Sequence, residues 1–371
     1  MNDQSLCLDF RSDTRTRPDA AMRAAMAQAE VGDDAYGDDP TVLELEAEGA
    51  RLTGKQAAVF LPSSTMANLV AVLAAAPDAP HAPAAPDPPA LRAAHTRLVT
   101  GEDTHIARFE SAAMRRFGGV RLVGVAQRDD GSPEPAALTR ALDDGRGQQL
   151  IVSLENTCML RTGNALDAAT TWSLAALARR YGAHVHLDGA RLANAAVARQ
   201  VSVQTLAAAA DSVTFCLAKG LGAPVGSLLC GSAAFVDRSR ELRLQLGGTM
   251  HQAGVVAAAG LVALRRVPRL ADDHALAAAL AAGLASVRGA DVDMPPRRTN
   301  IVTVGLAGLD AAELRRRLAA QGVLVLPLDH GRVRFVVHRE HEAAAVPHVV
   351  HALAGARTAS AGVVQPASSS R

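Results

Sequence analysis

Lysine is nearly missing from this sequence: of 38 basic residues only Lys55 and Lys219 are lysine, so almost every cation is an arginine. Aromatics are scarce at 3%, and no Lys/Arg run alternates with them. With a formal net charge of +1 the chain therefore shows no electrostatic footprint for nucleic acid. No stretch approaches the ~18 uninterrupted apolar residues of a membrane span. The polar opening MNDQSLCLDFRSD lacks the basic-then-apolar order of a secretory signal, so the expected compartment is the cytoplasm. Cys7, Cys158, Cys216 and Cys230 lie far apart with no CxxC pair, which argues against both a zinc site and a disulfide framework.

What is present supports a globular enzyme. A length of 371 residues at 49% hydrophobic content can bury a sizeable core, as one large domain with a smaller second one. From about residue 40 to 230, apolar runs at 57–61, 98–101, 121–125, 150–154, 184–187, 212–216 and 227–229 alternate with helical stretches at 41–52, 66–75, 135–142, 167–180 and 203–209. That rhythm predicts an α/β fold with a mostly parallel sheet covered on both faces. After Gly254 the spacing predicts one long Ala/Leu helix, then elements at 299–304, 314–321, 323–326 and 333–337 that form a small α+β C-terminal domain. The expected division is 1–250 for an arm and the large domain, 251–356 for the small domain and 357–371 for a disordered tail; the Pro/Ala-rich stretch 77–95 reads as an exposed loop.

The shortage of lysine gives Lys219 weight. Arginine serves as a surface charge but does not readily lose a proton to form an imine, whereas a lysine amine can. A coding bias that removes most lysines and leaves two by chance is the alternative reading, and for Lys55 the two readings stand level. Lys219, however, stands in SVTFCLAKGLGAPVGSLL, where a strand runs into a small-residue turn that lets backbone approach a flat ligand. Upstream, HVHLDGARLANA puts Asp188 directly after an apolar strand and Arg191 three residues on. A carboxylate there suits a pyridine nitrogen and a guanidinium suits a substrate carboxylate, although an ordinary surface pair has the same pattern. In FLPSSTMANLVAV a strand leads to Ser63, Ser64 and Thr65 at a helix start, which is an N-cap signature and equally a phosphate site. His105 in GEDTHIARFE follows another strand, as a ring-stacking group, a base or a capping residue. All four features fall at strand ends, where open parallel sheets bind ligands.

With DFRSDTRTRP, VGDDAYGDDPTV, LENT, QAGVVAAAGL, TNIVTV and GRVRFVVH added, the sequence resembles the low-specificity L-threonine aldolases over most of its length. These are pyridoxal 5′-phosphate (PLP) enzymes of fold type I. The resemblance implies that Lys219 carries the cofactor as an imine, Asp188 pairs with its ring nitrogen and His105 stacks on the ring. It implies that Ser64 and Thr65 bind the phosphate, that Ser12, Arg191 and Arg334 hold the substrate carboxylate, and that Tyr36 reaches in from a neighbouring subunit of a dimer of dimers. The reaction implied is cleavage of threonine, allo-threonine or a bulkier β-hydroxy-α-amino acid to glycine and an aldehyde. Elimination at the β-carbon, racemisation, transfer of the glycyl carbanion and a catalytically weak scaffold are the alternatives.

Four positions depart from the family pattern. Cys158, followed by Met159, stands where the family has a histidine near the substrate hydroxyl; a thiol is a poorer base for an alcohol, so Cys158→His is expected to raise activity on threonine. Ser64 replaces a usual glycine. Leu244 and His251 replace two cations that reach the neighbour's phosphate, for which Arg243 is a possible substitute.

Overall fold

The computed structural model describes residues 7–76, 95–329 and 331–358. The predicted loop at 77–95, His95 apart, and the tail beyond residue 358 lie outside the described residues.

Seven strands form the central sheet: β2 (Ala57–Leu61), β3 (Thr96–Gly101), β4 (Arg121–Val125), β5 (Gln149–Glu155), β6 (His184–Gly189), β7 (Ser212–Cys216) and β8 (Ser227–Gly231), in the order β2-β8-β7-β6-β5-β3-β4. β8 pairs antiparallel with both β2 and β7, while β3 to β7 pair in parallel. Continuous apolar runs make this possible. In β5, Leu150, Ile151, Val152 and Leu154 are all buried, as a strand covered on both faces requires. The observed strands contain all seven predicted ones, extended by one or two residues at some ends.

Helix starts follow local chemistry. Pro40–Thr53 begins with Pro40 at its first position behind Asp39, whose carboxylate accepts from the Val42 amide at 3.0 Å. The same carboxylate accepts from the Gly254 amide at 2.8 Å and so ties down a second helix, Gly254–Leu264. The long helix expected after Gly254 is two helices, Gly254–Leu264 and Leu270–Ala285, separated by a 3-10 turn at Val267–Arg269. Pro268 lies in that turn; without an amide hydrogen it cannot continue the helical ladder. The helices Leu192–Arg199, Ala233–Gln245 and Ala345–Thr358 were not among the expected elements.

The C-terminal unit is an antiparallel sheet of β9 (Ala290–Val292), β10 (Ile301–Leu306), β12 (Leu326–Pro327) and β13 (Arg332–Val336), in the order β12-β13-β10-β9. The N-terminal arm joins it: β1 (Leu8–Asp9) pairs in parallel with β11 (Val323–Leu324), and Phe10 packs edge-on against Phe335 with ring centroids 5.6 Å apart. This pairing pins the residues that follow, from Arg11 to Thr16, between the two units.

Candidate active site

β2, β3, β5, β6 and β7 point the same way, and the residues singled out from the sequence gather where they end. Asp188 is in the last turn of chain of β6, His105 follows β3, Lys219 follows β7 and Ser64 follows β2. This is the carboxyl edge of the sheet, at which ligands of open α/β folds bind.

Asp188 is buried and held from two directions, by the Asn68 side-chain amide at 3.0 Å and by the Ala190 backbone amide at 3.1 Å. Asn68 donates its other hydrogen to Glu110 at 3.2 Å, and its carbonyl oxygen lies 3.2 Å from His186 Nε2. Burial pushes the His186 pKa down to about 4, so its ring is neutral and can donate from Nε2 while Nδ1 faces the Ser212 hydroxyl at 2.9 Å. A fixed polar chain beneath the sheet edge thus sets the aim of the Asp188 carboxylate.

His105 lies 2.6 Å through Nδ1 from Glu110, leaving Nε2 for other contacts. Burial opposes charge on this ring, but the Glu110 hydrogen bond and the Asp188 carboxylate outweigh it and raise the His105 pKa. Glu155, the last residue of β5, stands beside Asp188 in register and accepts from the backbone amides of His105 and, at 2.9 Å, of Met159. Burial and the adjacent Asp188 charge push the Glu155 pKa up to about 7.

The carboxylate end is built around Asp13. Its two oxygens take Arg191 Nε at 2.8 Å and Nη2 at 2.6 Å, a buried bidentate pair, and the Asn300 amide adds a third bond at 3.2 Å. Burial would raise the Asp13 pKa, but the Arg191 charge and hydrogen bonds hold it well below the usual carboxylate range. The fork of Arg191 therefore faces Asp13. Arg334 is the freer cation: it is buried, meets the carbonyls of Met159 and Arg11 only at 3.4 Å each, and its Nε has no hydrogen-bond partner. Burial, reinforced by the Arg191 charge, pulls its pKa down to about 10. A desolvated guanidinium with unmet donors is what a small carboxylate would satisfy. Ser12 sits beside this end as an N-cap, accepting from the Thr14 amide at 3.2 Å.

The two lysines differ in the way their surroundings differ. Lys55 Nζ is 2.5 Å from the Ala210 carbonyl, whereas the Lys219 amine has no hydrogen-bond or ion-pair partner among the described residues. The Lys219 carbonyl accepts from the Thr16 hydroxyl at 2.8 Å, which fixes the turn. Its amine acts electrostatically on both His105 and Asp13, Asp13 on Arg191 and Arg334, Arg334 feels Glu155, and Glu155 feels Asp188, which in turn acts on His105. The groups close on one small volume.

The remaining predicted residues have these surroundings. Ser64 lies 3.2 Å from the Ser227 hydroxyl, and Thr65 is exposed in the same first helical turn. Cys158 is fully buried, with its thiol 3.6 Å from the Gln127 amide and 3.7 Å from the Asp103 carbonyl, and burial drives its pKa up. The Gly131 backbone packs closely on it: a Cβ there would lie 2.8 Å from Cys158 Cβ. Arg243 is not free to replace a missing phosphate cation; it is buried, pairs with Asp34 at 2.8 Å and donates to the Phe60 carbonyl at 2.8 Å. Tyr36 is 85% exposed and Leu244 66% exposed, along a groove of about 640 Å³ that His251 also lines. His251 is paired with Asp33 at 3.0 Å.

The sequence reading gave no role to Asp13, Asn68, Glu110, Glu155 or Asn300. The usable signal was burial of polarity: Glu155 ends the apolar run QLIVSLE, and His186 and Asp188 interrupt HVHLDG.

Comparison with known proteins places the chain in a family. Residues 9–307 match the family described as beta-eliminating lyase. Low-specificity L-threonine aldolase 1 of Arabidopsis thaliana is 38% identical over 342 residues, covering 90% of this chain and 91% of the relative. In structure, the Leishmania major threonine aldolase superposes with a TM-score of 0.76 at 20% identity, covering 93% of this chain and 98% of that one. A serine palmitoyltransferase from S. paucimobilis, solved with bound PLP, superposes at 0.69 with 19% identity, covering 94% and 86%. At those identities the structures establish the fold, and the sequence matches establish the kinship: this chain belongs to the beta-eliminating lyase family and, within it, to the low-specificity L-threonine aldolases.

Proposed function

We propose that the chain is a PLP-dependent lyase that cleaves the Cα–Cβ bond of a β-hydroxy-α-amino acid, whether threonine, allo-threonine or a bulkier analogue, to glycine and an aldehyde. The observation that carries this reading is the closed set of Lys219, Asp13, Arg191, Arg334, Glu155, Asp188 and His105 at one sheet edge. The residues fit the cofactor on their own chemistry. A pinned carboxylate and an unpartnered amine lie in electrostatic reach of one histidine, and three buried polar atoms beside them, Arg334 Nε, Asn300 Oδ1 and Glu110 Oε2, have no hydrogen-bond partner.

Bound PLP supplies an aldehyde for the lysine amine and a ring that takes up the electron pair released from Cα–Cβ. Asp188, its aim fixed by Asn68 and Ala190, would keep the cofactor's ring nitrogen protonated. Arg334, with Ser12 and the remaining Nη1 of Arg191, would take the substrate carboxylate and so fix the direction of the Cα–Cβ bond. His105 would stack on the cofactor and offer Nε2 to the β-hydroxyl proton, while Glu110 holds Nδ1. Glu155 ties the His105 loop to the Met159 loop, so the two sides of the substrate pocket move as one. The amides of Ser64 and Thr65, at the positive end of the helix Ser64–Ala75, take the phosphate.

The exposed Tyr36, Leu43 and Leu244 support a subunit interface along the groove that they line, in a cytoplasmic dimer of dimers. No helix among the described residues is long and apolar enough to cross a membrane. Glycine release from a panel of β-hydroxy amino acids by PLP-loaded protein tests the reaction, and light scattering tests the assembly. PLP-loaded protein that releases glycine from no member of the panel would refute the reading.

A further inference from the structure

On the far side of the Lys219 turn, an open groove of about 680 Å³ runs between the helix Ala20–Ala27, the turn Val267–Arg269 and the chain after β13. Five of the side chains that line it are arginines, Arg17, Arg23, Arg266, Arg269 and Arg339, against the carboxylates of Asp19 and Glu340. In a chain with a net charge of +1 this is a strong local excess of positive charge.

The pairing of these groups leaves donors over. Asp19 is shared between Arg266 and, at 3.3 Å, Arg339, and also caps a helix by accepting from the Met22 amide at 3.0 Å. Arg269 is matched by Asp273 at 2.8 Å. Glu340 spends a carboxylate oxygen on the Arg17 backbone amide at 2.7 Å, not on a guanidinium. The Arg17 guanidinium has no partner among the described residues, and that of Arg23 has only the Pro18 carbonyl at 2.9 Å. Arg339 is crowded against the Gly222 backbone, where a Cβ would lie 2.7 Å from the guanidinium carbon. Burial lowers the Arg339 pKa, with the charges of Arg269 and Arg266 adding to the effect and Asp19 opposing it.

We propose that this groove is an anion-binding site, separate from the amino-acid site, for a small metabolite carrying two or more phosphate charges. Planar guanidinium forks match phosphate oxygens in pairs, and several convergent forks favour a multivalent anion over a single carboxylate. The lining has no aromatic side chain on which a base could stack, which selects against nucleotides. The lining includes Arg17, the residue after Thr16, whose hydroxyl holds the Lys219 carbonyl, so the groove is linked through the chain to the backbone that carries the amine.

The probe is inorganic pyrophosphate, titrated calorimetrically into PLP-saturated protein at fixed ionic strength without divalent metal, so that the cofactor's own phosphate site is filled. One saturable site per chain is expected, weakened about tenfold or more in the double variant Arg17→Ala/Arg23→Ala. Both residues are exposed and without a carboxylate partner, so the variant should keep its melting temperature and its glycine release. Absence of saturation in the natural chain, undiminished binding by the folded variant, or tighter binding of citrate than of pyrophosphate would each overturn the assignment. The titration reads binding alone, so its result is independent of whether the chain is a lyase.

Discussion

Where the substrate carboxylate would sit, Asp13, Arg191, Arg334 and Asn300 are all buried, and three of them hold one another in place; where the cofactor phosphate would sit, Thr65 is exposed and Ser64 has one hydroxyl neighbour. The first end is preorganised by one chain at the cost of desolvating several charges. The second is a helix start that Ser63 caps at the Met66 amide, while the Ser64 and Thr65 amides have no hydrogen-bond partner among the described residues. On the proposed reading, the chain itself orients the amino acid, and a neighbouring copy would complete the cofactor's phosphate site.

Lys219 stands between the two ends, and its removal is the largest effect expected. Lys219→Ala should abolish the visible absorbance of lysine-bound cofactor and lower turnover by a factor on the order of a thousand or more. Spectra and glycine release of the purified variant check this, and a variant that kept both would remove the reading of the whole edge.

The carboxylate end can be tested against itself, because its two arginines differ in how well they are matched. Arg191→Met strands a buried Asp13 carboxylate and should cost about 3–5 kcal/mol of folding stability. Arg334→Met removes a buried cation that has only two 3.4 Å contacts, so stability should hold or rise while KM for the amino acid increases about a hundredfold. Denaturant unfolding together with steady-state kinetics separates the two outcomes. Equal stability losses would show that Arg334 is structural and that no cation is held in reserve for substrate.

Glu155 gives a pH signature to the same end. Its pKa rises from the ordinary glutamate value of 4.5 to about 7 on folding, so the folded chain holds a proton that the unfolded chain has released. The contribution of this group is fully present below pH 4.5, declines as pH rises towards 7 and costs on the order of 1–3 kcal/mol above that. Glu155→Gln should flatten that slope between roughly pH 5 and 7 in urea-unfolding measurements. An unchanged slope would place the titrating proton on another group.

Much of this was legible in advance, and for a physical reason. Strands such as Ile151–Val152 within β5 are apolar on both faces because helices cover both, which leaves a continuous signal, and the residues just past such runs, Asp188 and Lys219, stand out against it. Contacts between distant segments left no such mark. The bidentate pair of Asp13 with Arg191 spans 178 positions, and the link from the His105 backbone to Glu155 spans 50. Cys158 shows the same limit from the other direction: its place in the sequence says nothing of Gly131 and Gln127, which pack on its side chain from a loop that no local pattern connects to it.

The smallest expected effect concerns the open end. If the groove at Tyr36 is a subunit interface, residue 244 of one copy lies near the phosphate site of another, and the leucine there, 66% exposed, leaves that site short of a cation. Leu244→Lys should then tighten PLP by about fivefold, the ~1 kcal/mol that a solvent-accessible charge pair contributes, whereas Leu244→Met should not. Titrating apo-protein with PLP measures this. Because the charge acts across an interface, the gain should vanish when the protein is diluted until the assembly dissociates, which distinguishes it from a change within one chain. A gain that survived dilution, or no gain at all, would mean that the phosphate end is finished by residues of its own chain and that the two ends of the site differ less than their burial suggests.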